Sequence, residues 1–486
     1  ATFGYPAKPM DWKDFFDHRN TYYQWLEGRK DRDWRSLFAQ ESPLLYSYRQ
    51  SPRPLPENPD GVVTWNRPAF ELTNMVRLSM DSGGRLRNFE ALPPRREDAT
   101  VFAFDELKLF ASMGFDRTRF TSAQSFRTPL TPFDQRFALK GPHPNLKDIE
   151  IFVQYATYKG RLTSLYVQTP WSSAISDNVS LPTTAQLVQS YFTIFALVVF
   201  LFFSALLARR NWVANRADRR GALRLFLIHT ATIFLGWLVG AHFVPDGRMI
   251  NFATYSLGVA LLSGLILWQL YLALEPTLRS RWPQSIVTWN RALSGRLLDA
   301  QVGTHILMGV AMGITITIAF MSKDWFNFER AGNLVGSSIN NTSAGGWLAT
   351  QIATANGAMV TGFLIFFTIF GLKVLLRREF PAMVVAALIL CATNSDLYRS
   401  TNLPVDLTAY FAVSLAITFG LVRFGLLTTL VAVFTTNIVG QLSASSAPTV
   451  CFMSYTIATL LLVAAFAIFA FWRSLGNQSL VGDNPQ

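Results

Sequence analysis

The chain changes character at residue 187. Upstream, apolar and polar positions alternate over short stretches; downstream, long apolar runs dominate. Residues 187–208 carry no charged side chain. At about 1.5 Å per helical residue, such a run crosses a hydrocarbon core of roughly 30 Å. Eight further apolar segments follow, near 223–243, 251–273, 303–321, 356–376, 381–395, 407–422, 425–441 and 449–472. They predict an all-α polytopic membrane bundle of about nine helices over 181–476, with 477–486 left as a short tail. The segments within 381–441 are short for a full crossing, so a re-entrant element is an alternative there.

Residues 1–180 predict a separate α+β domain. Trp12, Phe15, Phe16, Tyr23 and Trp25 give partial helical spacing, so 10–40 reads as one or two amphipathic helices. Ser42 to Asn66, with its prolines, reads as an extended loop. Two hairpins are expected, FELTNMVRLSM and RLRNFEALPP around a DSGG turn, and IEIFVQYAT and RLTSLYVQTPW around YKG. Between them, Phe104 to Gly114 predicts a helix that Asp105 can cap. The second strands, GRLRNFEALPP at 84–94 and GRLTSLYVQTP at 160–170, share a start and a closing proline. A helix-plus-hairpin unit occurring twice is the expectation.

Charge orients the bundle. The chain holds 43 Lys+Arg against 31 Asp+Glu. If the segments alternate, fifteen basic residues gather at one set of helix ends, led by Arg209, Arg210, Arg216, Arg219, Arg220 and Arg224, and four at the other. Positive residues favour the cytoplasmic side, so residues 1–186 are expected outside and the C-terminus inside. The same bias accounts for the basic pI, and nucleic acid is not expected as a partner.

Residues 1–20 contain no apolar export segment, so a removed signal or an earlier transmembrane helix is expected to carry the outer domain across. Two cysteines, Cys391 and Cys451, both fall in apolar stretches, so no disulfide, metal site or cofactor is expected. Phosphate-binding loops, HExxH, GxSxG and the kinase motifs are missing from the sequence.

Two groups of residues are candidates for function. The basic, aromatic stretch 274–302 predicts an interfacial amphipathic helix. Arg279, Arg281, Arg291 and Arg296 would face anionic lipid, with Trp282 and Trp289, seven apart, anchored in the headgroup layer. Pro283 belongs in its first turn. Inside or beside apolar segments lie His229, His242, His305 and Asn437, ionisable or polar groups that mark functional candidates in a membrane. The plainer reading gives them interhelical hydrogen bonds. Asp396 is expected in an outer loop.

LLYSYRQSPRPL (44–55), VRLSMDSGGRLRNFEALPP (76–94), DRRGALRLFL (218–227), GAHFVPD (240–246) and YLALEPTLRSRWPQSIVTWNRALSGRLLDAQVG (271–303) together resemble the C-terminal region of a group of bacterial receptor-like serine/threonine protein kinases. In that group a cytoplasmic kinase domain precedes one transmembrane helix, an outer domain and a multi-helix membrane domain. The resemblance implies a bacterial inner-membrane location, a sensory and signal-transducing role, an extracytoplasmic ligand, a cytoplasmic kinase partner and a homodimer as one arrangement. No kinase domain lies within these 486 residues, so no catalytic residue carries over. A transporter or channel, or an accessory subunit of a larger membrane complex, is the rival reading.

Overall fold

The computed structural model describes residues 3–5, 9–19, 21–22, 25, 41, 44–55, 61–95, 101–146, 149–172, 183–244, 246–326, 343–394, 397, 402–442 and 453–476, without the side chains of His18, Arg281 and 324–326. Asp396, Cys451 and the tail 477–486 lie outside the described residues.

An eight-stranded antiparallel sheet forms the N-terminal part. Its strands are β1 Asp11–His18, β2 Leu44–Ser51, β3 Val76–Met80, β4 Leu86–Ala91, β5 Thr121–Ser122, β6 Gln135–Pro142, β7 Glu150–Tyr158 and β8 Arg161–Gln168, in the order β1-β2-β3-β4-β8-β7-β6-β5. Both expected hairpins are present. The β7–β8 turn places Lys159 and Gly160 at φ +50° and +75°, the left-handed pair a tight two-residue hairpin requires. The two related strands, β4 and β8, pair with each other, with Phe89 opposite Leu165. These two residues occupy equivalent positions in the matching strings, so a local two-fold passes between them and relates the hairpins.

The helix expected over residues 10–40 is corrected at its start, where residues 11–18 form an edge strand. Trp12 and Phe16 are four apart, a spacing that fits a helical face and equally one face of a strand. Partners on β2 decide: Phe16 lies opposite Tyr46, with ring centroids 5.7 Å apart, and Trp12 stacks on Tyr48 at 5.8 Å. The extended loop expected from Ser42 to Asn66 is corrected over Leu44–Ser51, which is strand β2, because this run between Pro43 and Pro52 contains no proline and keeps every backbone N–H for the ladder. On β2, Arg49 is fully buried and donates to the carbonyls of Thr64, Trp65 and Pro68. It thereby pins the loop that runs to the membrane part.

Helix α1, Glu106–Met113, packs Leu109, Phe110 and Met113 onto the sheet. Asp105 caps it by accepting from Lys108 N–H at 3.0 Å, and Gly114 closes it at φ +72°. Beneath lies a buried ionic cluster. Glu41 accepts from Arg19, lies 3.3 Å from Arg87 and 3.4 Å from His143, and Asp81 holds Arg87 at 2.7 Å. Burial works against the Glu41 carboxylate, but His143, Arg87 and Arg19 outweigh it and draw its pKa down to about 2.

The membrane part contains α2 Thr184–Val213, α3 Arg219–Gly240, α4 Arg248–Arg281, α5 Pro283–Leu293, α6 Ala300–Phe326, α7 Ala344–Leu376, α8 Glu379–Ala392, α9 Leu403–Phe424, α10 Leu426–Gly440 and α11 Met453–Ser474. With α1 the described residues hold eleven α-helices, against about nine expected for the bundle. Seven of them (α2, α3, α4, α6, α7, α9 and α11) are long and apolar enough to cross a membrane; α8 and α10 are apolar but shorter. This is a polytopic membrane protein. The centre is the α6–α10 pair. Cβ atoms at Gly309 and Gly313 would lie 2.6 Å from Val431 and Thr435, so these glycines set the close approach of the two helices.

Glu41→Gln leaves Arg87 buried with half its counter-charge, and should destabilise the sheet domain by about 3–5 kcal/mol at pH 7. Because the folded pKa is depressed, this stability is complete above the ordinary carboxylate range and is lost as pH falls toward 2. Pulse proteolysis of the intact protein across urea, at pH 7 and pH 3, reads both effects. The gap between wild type and variant should narrow at the lower pH.

Candidate functional site

The sheet domain and the bundle meet where α3 ends. Gly240 closes the helix, and Ala241 and His242 turn beneath the start of β1. His242 Nε2 lies 2.7 Å from Asp11 Oδ1, the same oxygen that accepts from Trp12 N–H at 2.8 Å. Asp11 Oδ2 accepts from Leu55 N–H at 2.7 Å. Arg248, opening α4, reaches the Pro54 carbonyl at 3.5 Å and pairs with Asp246 at 2.8 Å. Gly61, at φ +68°, lies against Ala241, which a Cβ would approach to 3.1 Å. One carboxylate thus gathers a strand, a loop and a helix end. Burial disfavours its charge, yet the hydrogen bonds from His242, Leu55 and Trp12 prevail and hold the pKa below the ordinary value.

Behind this seam a cavity of about 780 Å³ runs from the sheet domain into the bundle. Lys13, Asp14, Val62 and His242 line its mouth. Gly236, Gly240, Gly346 and Ala349 line its walls, and α3 and α7 are so close there that a Cβ on Gly240 would be 2.6 Å from Ala349. His229, Ser263 and Asn356 form the inner end. His229 is fully buried; its Nε2 is 2.9 Å from Ser263 Oγ, while Nδ1 has no hydrogen-bond partner among the described residues. Thr232 donates to Asn356 Oδ1 at 2.9 Å. The cavity therefore offers charge at its mouth, small apolar walls and an imidazole nitrogen inside, an arrangement suited to a small amphipathic guest. Among the described residues no cluster of His, Cys, Asp and Glu is placed to hold a metal.

The structure brings together only two of the residues singled out from sequence, His229 and His242. His305 lies elsewhere, its Nδ1 3.1 Å from Thr428 and 3.4 Å from Thr288. Asn437 is exposed on α10. The stretch 274–302 divides. Arg279 belongs to α4 and lies 3.4 Å from Glu275; Pro283 opens α5; Arg291 pairs with Asp299 at 3.0 Å; Arg296 is exposed; and the side chain of Arg281 lies outside what is described. Trp289 turns into the bundle, 8% exposed and 5.6 Å from Phe363, and Lys373 caps the Trp282 ring at 3.5 Å. The amphipathic helix exists, but its buried face docks on protein. That removes Trp289 from the expected headgroup anchor.

Sequence reading passed over Asp11, one acidic residue among many in a polar stretch. It also passed over Lys323 and Asp406, 3.6 Å apart and buried between the C-terminal end of α6 and the N-terminal end of α9. An aspartate within an otherwise apolar helix, LPVDLTAY, was the available signal.

Asp11→Asn should cost about 1.5–3 kcal/mol at pH 7, the range for hydrogen bonds to a charged group. Asp11 has a depressed folded pKa, so its contribution is whole at neutral pH and fades as pH falls below about 4. Melting of wild type and variant in detergent should differ by several degrees at pH 7 and converge in acid.

Comparison with known proteins supplies no relative: no family model, no curated protein and no solved structure matches this chain.

Proposed function

We propose that this chain is the sensory and signal-transducing membrane region of a receptor-type serine/threonine kinase, with catalysis residing in a cytoplasmic partner domain. The observation that carries this reading is the reach of α3. One end meets the sheet domain through His242 and Asp11. At the other end Asp218 caps the helix and accepts from Tyr271 Oη at 3.2 Å, and Tyr271 Oη lies 3.1 Å from Asn290 of α5. A guest in the cavity would press on α3 along one side, and α3 would pass a shift to α5. The fifteen-to-four distribution of basic residues supports an orientation with the sheet domain outside and α5 at the cytoplasmic face of a bacterial inner membrane. A homodimer is compatible with this scheme. The cavity's histidine-containing inner end favours one rival, a transporter for a small solute.

Orientation is tested with single cysteines at Ser82 and Leu297, both exposed, in a background lacking Cys391 and Cys451. An impermeant thiol reagent should label position 82 in intact cells and position 297 only after permeabilisation. The reverse pattern would invert the scheme.

Coupling is tested by a spin label at Leu297. Asp11→Asn or His242→Asn should change its mobility across the thickness of the protein, with no solute-driven uptake in proteoliposomes. An unchanged spectrum in both variants removes the signalling role, and uptake lost on His229→Leu would favour transport.

A further inference from the structure

A second cleft, larger than the seam cavity and sharing none of its lining residues, opens between α2 and α7. It has a volume of about 1810 Å³ and is bounded by α2, α7 and α8, with the end of α4 closing its base. Helix α2 packs along α4 and touches α7 where Phe200 meets Phe367, ring centroids 4.5 Å apart. At the far end Gln189 donates to the Thr393 carbonyl at 3.3 Å. Between these contacts the walls are apolar, formed by residues such as Phe203, Leu207, Phe370 and Leu390. From Thr193 to Arg210 the cleft follows α2 for about 25 Å, most of a bilayer's hydrocarbon thickness.

Its charge lies entirely at one end. Arg210, Arg216, Arg279 and Arg377 line the base, at the face where α2, α4 and α7 finish. Among the described residues Arg210, Arg216 and Arg377 make no ion pair, and Arg279 has only Glu275 at 3.4 Å. Asp and Glu are missing from the cleft lining, so nothing within it neutralises these guanidinium groups. Guanidinium is a strong, geometrically suited partner for phosphate. An apolar channel of membrane depth, ending in four arginines of which only Arg279 has a carboxylate partner, complements one class of molecule.

We propose that this cleft binds an anionic glycerophospholipid, its phosphate held by the four arginines and its acyl chains laid between α2 and α7. The site is distinct from a general lipid annulus, because the cleft penetrates the bundle and its charge is localised. It also stands apart from the seam cavity, so its test does not depend on the signalling role. The basic residues of the 274–302 stretch then act through one defined pocket at Arg279 and not as a broad surface anchor.

Purify the full chain in a neutral detergent, delipidate it, and titrate with dioleoyl phosphatidylglycerol or dioleoyl phosphatidylcholine. Native mass spectrometry counts retained lipid, and a thermal melt reads stabilisation. The proposal expects one tightly retained phosphatidylglycerol and little retained phosphatidylcholine. Each of Arg210→Gln and Arg377→Gln should weaken retention about fivefold, the equivalent of about 1 kcal/mol per basic residue at a headgroup, and added salt should do the same. Gly371→Trp is the second arm. Gly371 lines the cleft and a Cβ there meets nothing within 4 Å, so the indole should fill the channel, leave the lipid-free melt unchanged, and abolish retention with all arginines in place. Equal retention of the two lipids would overturn the proposal. So would retention indifferent to both Arg377→Gln and Gly371→Trp, displacement of the lipid by soluble glycerol phosphate, or a dimer that Gly371→Trp dissociates in place of any bound lipid.

Discussion

The membrane part depends on a single constraint: where water is excluded, each backbone N–H and C=O must find a partner inside the protein. Pro276 shows the consequence. It lies inside α4, where it lacks the N–H that would bond the Leu272 carbonyl and crowds the preceding turn. Asn211, at the end of α2, supplies the missing donor, its Nδ2 lying 2.9 Å from the Leu272 oxygen and 3.0 Å from that of Ala273. The proline is therefore tolerated, and the repair joins α2 to α4. Gln269 works in the same sense one turn higher, donating to the Leu201 carbonyl and to Ser204 Oγ. Side-chain amides thus fix how α2 lies on the bundle. That in turn leaves the cleft on its other side open.

Helices without such amides are held by closeness. Gly309 and Gly313 let α6 approach α10 until threonine hydroxyls on each meet carbonyls of the other, as Thr436 does with Gly313 at 3.2 Å. Helix α10 is only 15 residues long, about 22 Å, and yet its positions from Leu426 to Val433 are all buried. It need not cross a bilayer alone because protein surrounds it. The α3–α7 contact uses the same device at Gly236 and Gly240, but there the small residues also line a cavity. Small side chains can either close an interface or leave space beside it. The difference at α3 is that the sheet domain roofs the gap.

What could be seen in the sequence follows the range of the forces involved. Charge-free runs of twenty residues announce membrane helices because desolvation is a local property of the run. Hairpins at 76–91 and 150–168 were legible from turn chemistry, and α1 from its cap at Asp105. Strand β1 was not, since the four-residue spacing of Trp12 and Phe16 fits both periods and only Tyr46 and Tyr48 choose between them. Helix α5 was legible as amphipathic, but periodicity cannot say whether its apolar face meets lipid or Phe363. The seam was least legible of all. His242 could be picked out as an ionisable group at a helix end, whereas its partner Asp11 is 231 residues away and carries no local mark.

Lys323 and Asp406 extend this reasoning to the helices that lack long polar contacts. Each is almost fully buried where the C-terminal end of α6 meets the N-terminal end of α9, and their 3.6 Å separation is flanked by Phe320 and Tyr410, 4.0 and 4.8 Å from the Lys323 ammonium. Removing two ions from water costs more than most ion pairs return, so the pair adds little net stability. Its effect is on alignment. Sliding α9 by one turn past α6 would separate two buried charges by about 5 Å and leave both uncompensated. At the other end of the same helices, Gly425 sits so close to Ser285 that a Cβ would fall 2.7 Å from its carbonyl oxygen, at φ +88°. Apolar packing between helices resists such a slide weakly, because many registers bury similar area. The charge pair at one end and the glycine at the other together select one register, and with it the position of α5, which rests on α10 where α9 turns into it.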